Sequence, residues 1–164
     1  MMIKKKHETK NSLPRYGKLS MWLLGAVVLI VGGMTLIRQP SEAADVVVFK
    51  SPSCGCCNKW IDHLKENGYS VIAHNQSDMN LVKTQMGVSR EVASCHTATV
   101  DGYVIEGHVP ADVIARLLKE KTSIKGLAVP GMPMGSPGME GPRKDNYDIL
   151  TFNDSGKTTV YESR

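Results

Sequence analysis

Two hydrophobic periods alternate along the chain, separated by turn residues. Val46-Val-Val-Phe49 is a short β-branched and aromatic run closed by Ser51-Pro52-Ser53, which predicts a buried strand. Beyond Gly55, the apolar residues Trp60, Ile61 and Leu64 recur at helical spacing, and Gly68 supplies a stop. Val71 to His74 predicts a second strand. Ser77 or Asp78 can cap a helix carrying Met79, Val82 and Met86 on one face and ending at Gly87, with a further turn over Ser89 to Ala93. Thr97 to Val100 and Tyr103 to Glu106 flank Asp101-Gly102, a strong hairpin signal. Pro110 then opens a helix through Lys119, with Val113, Ile114, Leu117 and Leu118 as its apolar stripe. Gly126 to Gly141 holds three Pro, five Gly and three Met, so no regular element is expected there. Tyr147 to Phe152 and Lys157 to Glu162 flank Asn153-Asp-Ser-Gly156 and predict a closing hairpin.

The order is β-α-β-α-β-β-α, with thiols directly after the first strand. That predicts an α/β fold with a thioredoxin-like core over residues 45–122. Residues 123–164 then form a Met/Gly/Pro loop and a C-terminal hairpin packed on the core. Ahead of the core, residues 1–18 are a basic head, 19–37 an uncharged apolar run and 38–44 a linker. The run from Leu19 to Ile37 is long for a secretory signal and near the lower limit of a membrane span. Ser41-Glu42-Ala43 offers small residues for cleavage before Ala44. Both a cleaved signal and an uncleaved inner-membrane anchor fit, and run length favours the anchor. The basic head stays in the cytoplasm by the positive-inside rule, so the working domain is expected in the periplasm or outside the cell.

Charge changes the picture once it is located. The formal net charge is +4, but residues 1–44 carry seven Lys or Arg against two Glu, leaving −1 for the remainder. The basic balance therefore belongs to the leader, and no nucleic-acid-binding face is expected. An exported domain can keep disulfides, so four cysteines are compatible with two structural bridges. Cys54, Cys56 and Cys57 instead fall at a helix start. There the unpaired N–H groups and the helix dipole favour anions and lower a thiol pKa, a setting for chemistry rather than packing.

Several motifs carry a family resemblance. They are Cys54-Gly-Cys-Cys57, Ser94-Cys-His-Thr-Ala98, Gly102-Tyr-Val-Ile-Glu-Gly-His-Val-Pro-Ala111, Gly126-Leu-Ala-Val-Pro-Gly-Met-Pro133 and Gly135-Ser-Pro-Gly-Met-Glu140. Residues 45–162 thereby resemble the CopG-like group of periplasmic copper-resistance proteins, a domain family of unknown function. The resemblance implies a thioredoxin-like fold and copper(I) handling by sulfur from Cys54, Cys56, Cys57 and Cys95. It implies copper ions as partners, with a copper transporter or oxidase as a further one.

The residues agree with that implication. Cys54 and Cys57 lie three apart, so their sulfurs can meet as a disulfide or as two ligands, and they are the redox candidates. Cys56 points about 100° from Cys57 on a helix, which suits a second ion of a cluster. Counting back from Asp101-Gly102 puts His96 where thioredoxin-like folds have a cis-proline and Cys95 just before it, beside the helix start. Four soft thiolates select copper(I), zinc or iron–sulfur over hard cations. Several bridged copper(I) ions account for the crowding better than one. Zinc is less favoured because Cys-x-Cys-Cys is not its usual spacing.

Other readings stay open. A thiol–disulfide oxidoreductase using Cys54 and Cys57 is one, and a disulfide-braced structural module is another. A metal-binding protein is preferred to an enzyme; if there is turnover, copper or thiols are the substrates. His96 is equally a ligand and a packing residue, and His108 reads as a hydrogen-bonded packing residue. Met132, Met134 and Met139 offer thioether donors for passing or capping copper(I), although Met as loop filler is preferred. Trp60 and Tyr103 read as core or site-covering aromatics, Glu106 as a surface residue and Asp112 as a helix-start residue.

Overall fold

A computed structural model describes residues 46–164, which form seven strands and three helices. The predicted basic head, apolar run and linker lie outside the described residues. Among the described residues, no helix is long and apolar enough to cross a membrane.

The strands are β1 (Val46–Lys50), β2 (Val71–Asn75), β3 (His96–Val100), β4 (Tyr103–Glu106), β5 (Gly126–Ala128), β6 (Asp148–Phe152) and β7 (Thr158–Ser163). The helices are α1 (Gly55–Glu66), α2 (Met79–Gln85) and α3 (Ala111–Glu120). All strands join one mixed sheet in the order β2-β1-β3-β4-β5-β6-β7. Strand β1 is parallel to β2 and antiparallel to β3, and β4 is parallel to β5.

Each element follows from local chemistry. Strand β1 alternates buried and half-buried residues, because its odd and even side chains serve opposite faces of the sheet. Asp78 caps α2 by accepting a hydrogen bond from the Leu81 N–H at 3.0 Å. Asp101 and Gly102 both have positive φ, 46° and 82°, the signature of the two-residue hairpin turn matched to strand twist. That turn fixes the β3–β4 register as Val100↔Tyr103 through Thr97↔Glu106.

Two apolar clusters cover the two faces. The larger joins Val46, Val48, Ala98, Ile105 and Leu127 of the sheet to Trp60, Ile61 and Leu64 of α1 and Ile114 and Leu117 of α3. Each fully buried Leu or Ile here contributes about 1.5–3 kcal/mol relative to exposure. The smaller places Val88 and Val92 over Val104, Ala128 and Phe152.

The C-terminal part differs from expectation at one place. Gly126–Ala128, predicted irregular, is strand β5, which pairs with β4 on one side and β6 on the other. Its apolar stretch is too short to show a period, and the available edge of β4 decides its conformation. The closing hairpin β6–β7 places Ile149 in the larger apolar cluster, with Tyr161 packed against it. The hairpin extends the same sheet at its edge.

Candidate metal centre

Strand β1 delivers the chain to Cys54, the N-cap of α1, whose own N–H donates to the Ser51 carbonyl at 3.1 Å. No side chain caps this helix and no acidic residue occupies its first turn. Cys54, Cys56 and Cys57 thus stand at the positive end of the helix dipole, without a carboxylate of the first turn to offset it. Cys54 and Cys57 form a disulfide with Cα atoms 5.4 Å apart, whereas Cys56 and Cys95 are free thiols. The sulfurs of Cys54 and Cys56 are 3.6 Å apart.

Cys95 arrives from the other side, one residue before β3. All four sulfurs lie within 4.8 Å of one another. The convergence expected from counting back along the hairpin is therefore present. His96, at the start of β3, has a trans peptide, as no cis bond occurs among the described residues.

Two imidazoles join the sulfurs. His96 Nδ1 lies 3.3 Å from Cys95 Sγ, and the ring packs against Trp60 with centroids 4.3 Å apart. Its Nε2 is buried without a hydrogen-bond partner. His108 Nε2 lies 3.0 Å from Cys95 Sγ, and its Nδ1 lies 2.6 Å from the Pro137 carbonyl. A carbonyl only accepts, so Nδ1 carries the proton and the neutral ring turns its Nε2 lone pair to Cys95. Cys95, His96 and His108 form a second set of donors within 4.8 Å.

His108 is thus more than the packing residue its sequence context suggested. The register that pairs Thr97 with Glu106, continued two residues outward, sets Cys95 opposite His108. The signal was available in the two-residue turn. Glu106, read as a surface residue, is fully buried and bonded to Lys83, Thr97 and the Ser94 N–H. A charged residue at a strand end gives no sign of burial until its partner from α2 is known. Asp112 does occupy the first turn of α3, with Arg164 beside it.

Burial sets the protonation states. Desolvation, reinforced by neighbouring Cys56, pushes the Cys95 thiol up to about 12, so it holds its proton at neutral pH. Burial, with His108 and Lys83 adding to it, drives His96 well below the usual imidazole range. Burial likewise lowers His108, against the Pro137 carbonyl and Glu140, which favour its charged form. Both rings are neutral donors, and a soft cation at Cys95 would take the place of a proton.

The Pro/Gly-rich loop closes over this end. Gly138, at φ 83°, lies so close to α1 that a Cβ there would stand 2.7 Å from the Cys56 carbonyl oxygen and 2.8 Å from the Trp60 nitrogen. Only glycine tolerates both that contact and that φ. Of the loop thioethers, Met132 is half-exposed and Met134 and Met139 are partly buried. The loop backbone at Pro137 and Gly138 makes the contacts with the site. Trp60 is fully buried, donating Nε1–H to the Val109 carbonyl at 2.8 Å, and Tyr103 donates to the Thr122 carbonyl at 3.0 Å.

Four sulfurs, two of them joined as the Cys54–Cys57 disulfide, and two imidazoles gather at one end of a mixed α/β sheet, a cluster capable of holding a metal ion. The family model described as "Protein of unknown function, DUF411" matches residues 92–139. Two solved structures, "Copper resistance protein copG- Form 2" and "Copper resistance protein copG- Form 1", are 44% identical and superpose with a TM-score of 0.71. They cover 75% of this chain, and 99% and 98% of their own. No curated protein matches the sequence. The chain belongs to the CopG-like family of copper-resistance proteins, and its cysteine cluster is suited to a copper-related function.

Proposed function

We propose that this protein binds copper(I) in the cell envelope through Cys54, Cys56, Cys57 and Cys95 and so protects against copper outside the cytoplasm. The observation that carries this reading is the approach of all four sulfurs to within 4.8 Å. Sulfur-only sets are soft and match copper(I) better than hard cations. One ion seldom needs four sulfurs, so several bridged ions fit this set. The strand order β2-β1-β3-β4, with thiols following β1, supports treating residues 45–122 as a thioredoxin-like core. The basic head and apolar run of residues 1–37 support export, anchored or cleaved.

The chain's residues have distinct tasks in this account. The first turn of α1 stabilises thiolate charge on Cys54, Cys56 and Cys57. The Cys95 thiol donates to His108 Nε2, which the Pro137 carbonyl keeps in the accepting tautomer, and a copper(I) ion at Cys95 would displace that proton to solvent. The Gly138 segment keeps solvent from one side. Closing Cys54–Cys57 releases two electrons and two protons, which reduces two copper(II) ions to copper(I), and withdraws two sulfurs from the donor set. The disulfide in the structure favours a second reading, thiol–disulfide exchange by Cys54 and Cys57 with Cys56 and Cys95 as bystanders.

Anaerobic titration of the fully reduced protein with copper(I) against a competing chelator separates the two. The copper reading predicts saturation above one ion per chain and loss of tight uptake in Cys54→Ser/Cys95→Ser. Saturation below one ion, together with turnover of a model disulfide indifferent to copper chelators, would favour exchange.

A further inference from the structure

A buried polar group lies on the face of β3 opposite His96, where successive residues of a strand point apart. Glu106, the last residue of β4, is wholly buried. Its Oε1 accepts from Lys83 Nζ at 2.5 Å and from the Ser94 N–H at 2.6 Å. Its Oε2 accepts from Thr97 Oγ1 at 2.6 Å, and Thr97 Oγ1 in turn accepts from Lys83 Nζ at 3.0 Å. Ser94 and Thr97 bracket Cys95 and His96. One carboxylate therefore holds both ends of the four-residue segment that brings the fourth sulfur.

Little else in the backbone fixes that segment's leading end. Ser94 and Cys95 precede β3 and lie outside every strand pairing. After them, His96 pairs with Lys50 of β1, and its carbonyl accepts from the Gly107 N–H at 3.0 Å. The Ser94 N–H goes to the carboxylate, and Ser94 Oγ donates to the Gly131 carbonyl at 2.5 Å, tying in the methionine loop. Buried ion pairs are often no more stabilising than well-packed apolar residues, so net stability alone gives no reason for a charged pair here. Fixing one geometry does.

We propose that Glu106, held by Lys83, is a positioning residue that fixes the Ser94–Thr97 segment so that the Cys95 sulfur meets those of the α1 first turn. Its functional meaning rests on the copper(I) reading above, but the placement of Cys95 is measurable without metal. The acting feature is the hydrogen-bond pattern at residue 106 rather than its charge. Glutamine offers a carbonyl for the Ser94 N–H and an amide for Thr97 Oγ1, whereas leucine offers neither.

The test compares Lys83→Met/Glu106→Gln with Lys83→Met/Glu106→Leu. Both are neutral, and neither leaves a charge buried alone. In metal-free protein with Cys54–Cys57 oxidised, alkylation of Cys95 and Cys56 is followed by peptide mass spectrometry. The ratio of the two rates reports placement, and a merely structural loss would move both thiols together. The Gln variant should keep the wild-type ratio, and the Leu variant should raise it about tenfold. Copper(I) affinity by chelator competition should fall roughly tenfold or more in the Leu variant alone. An unchanged ratio in the Leu variant, or equal ratios in the two variants, overturns the proposal. Should the Leu variant not fold, Thr97→Val in the native chain removes one anchor. A raised ratio there supports the proposal and an unchanged one overturns it. A wild-type protein that takes up no copper(I) would defeat the copper reading while leaving the alkylation result to decide the placement of Cys95.

Discussion

Two ionic clusters of similar composition differ in their access to water. Lys83 and Glu106 meet with side chains 10% and 0% exposed. Arg116, Glu162, Arg164 and Asp112 form a chain of pairs between α3 and the C-terminal hairpin, and their side chains keep 21–64% of their surface. Charge pairing alone does not distinguish them. In the first, both carboxylate oxygens of Glu106 have protein donors and Lys83 is held by Glu106 and Thr97, with little surface left to water. In the second, solvent and salt compete at each contact, so even the guanidinium of Arg116, 4.4 Å from the Tyr161 ring centre, is weakly held. Position follows the same division. The buried pair fixes the approach of Cys95, and the exposed pairs only trim the hairpin against α3.

The comparison is tested most severely by Glu106→Ala, which strands the Lys83 ammonium in the interior. We expect a loss of about 3–5 kcal/mol in chemical denaturation. A loss below about 1 kcal/mol would place Lys83 in water and equate the two clusters. Next comes Gly138→Ala, which forces a Cβ against the α1 backbone at positive φ and should cost roughly 1–3 kcal/mol. The same variant should speed Cys95 alkylation, because the Pro137 carbonyl that holds His108 moves with it. Unchanged stability and thiol reactivity would show that the loop does not rest on α1.

A smaller effect concerns His63 in the last turn of α1, whose Nε2 accepts the Ala111 N–H of α3 at 3.1 Å. Burial lowers this histidine below its ordinary 6.5, against the pull of Glu140, Glu66 and Asp112 toward the charged form. The unfolded chain takes up the proton first, so the bond's contribution is full above 6.5 and disappears as pH falls through the lowered folded value. Thermal melts of wild type and His63→Leu should differ by about 1 kcal/mol near neutral pH. The gap should close under acid, and a gap that widens would reverse the assignment. The least effect belongs to Arg164→Ala in the exposed cluster, about 0.2–1 kcal/mol and diminishing with added salt. A salt-independent loss of several kcal/mol would mean that this cluster is desolvated too.

Local signals carried much of this fold. The period of β1, the stripe of α3 and the Asp101-Gly102 turn each state their conformation within a few residues, and the structure agrees. The meeting of Cys95 with the α1 thiols was legible because the turn sets the register from which Cys95 is counted. That count also reaches His108, but a histidine after a strand carries no mark of its partner. Glu106 was illegible for a deeper reason. Its burial depends on Lys83, 23 residues earlier on another element, and a carboxylate without its cation reads as surface. Strand β5 was hidden because Gly126, Leu127 and Ala128 have no strand preference until β4 and β6 offer hydrogen bonds on both sides.

The central claim is that sulfur from two separate segments jointly holds copper(I), and X-ray absorption at the copper edge of the reduced, copper-loaded protein addresses it directly. The account predicts a copper(I) edge, a first coordination shell dominated by sulfur and copper–copper scattering, with sulfur diminished in Cys95→Ser. A shell of nitrogen and oxygen, unchanged by that substitution, would contradict it.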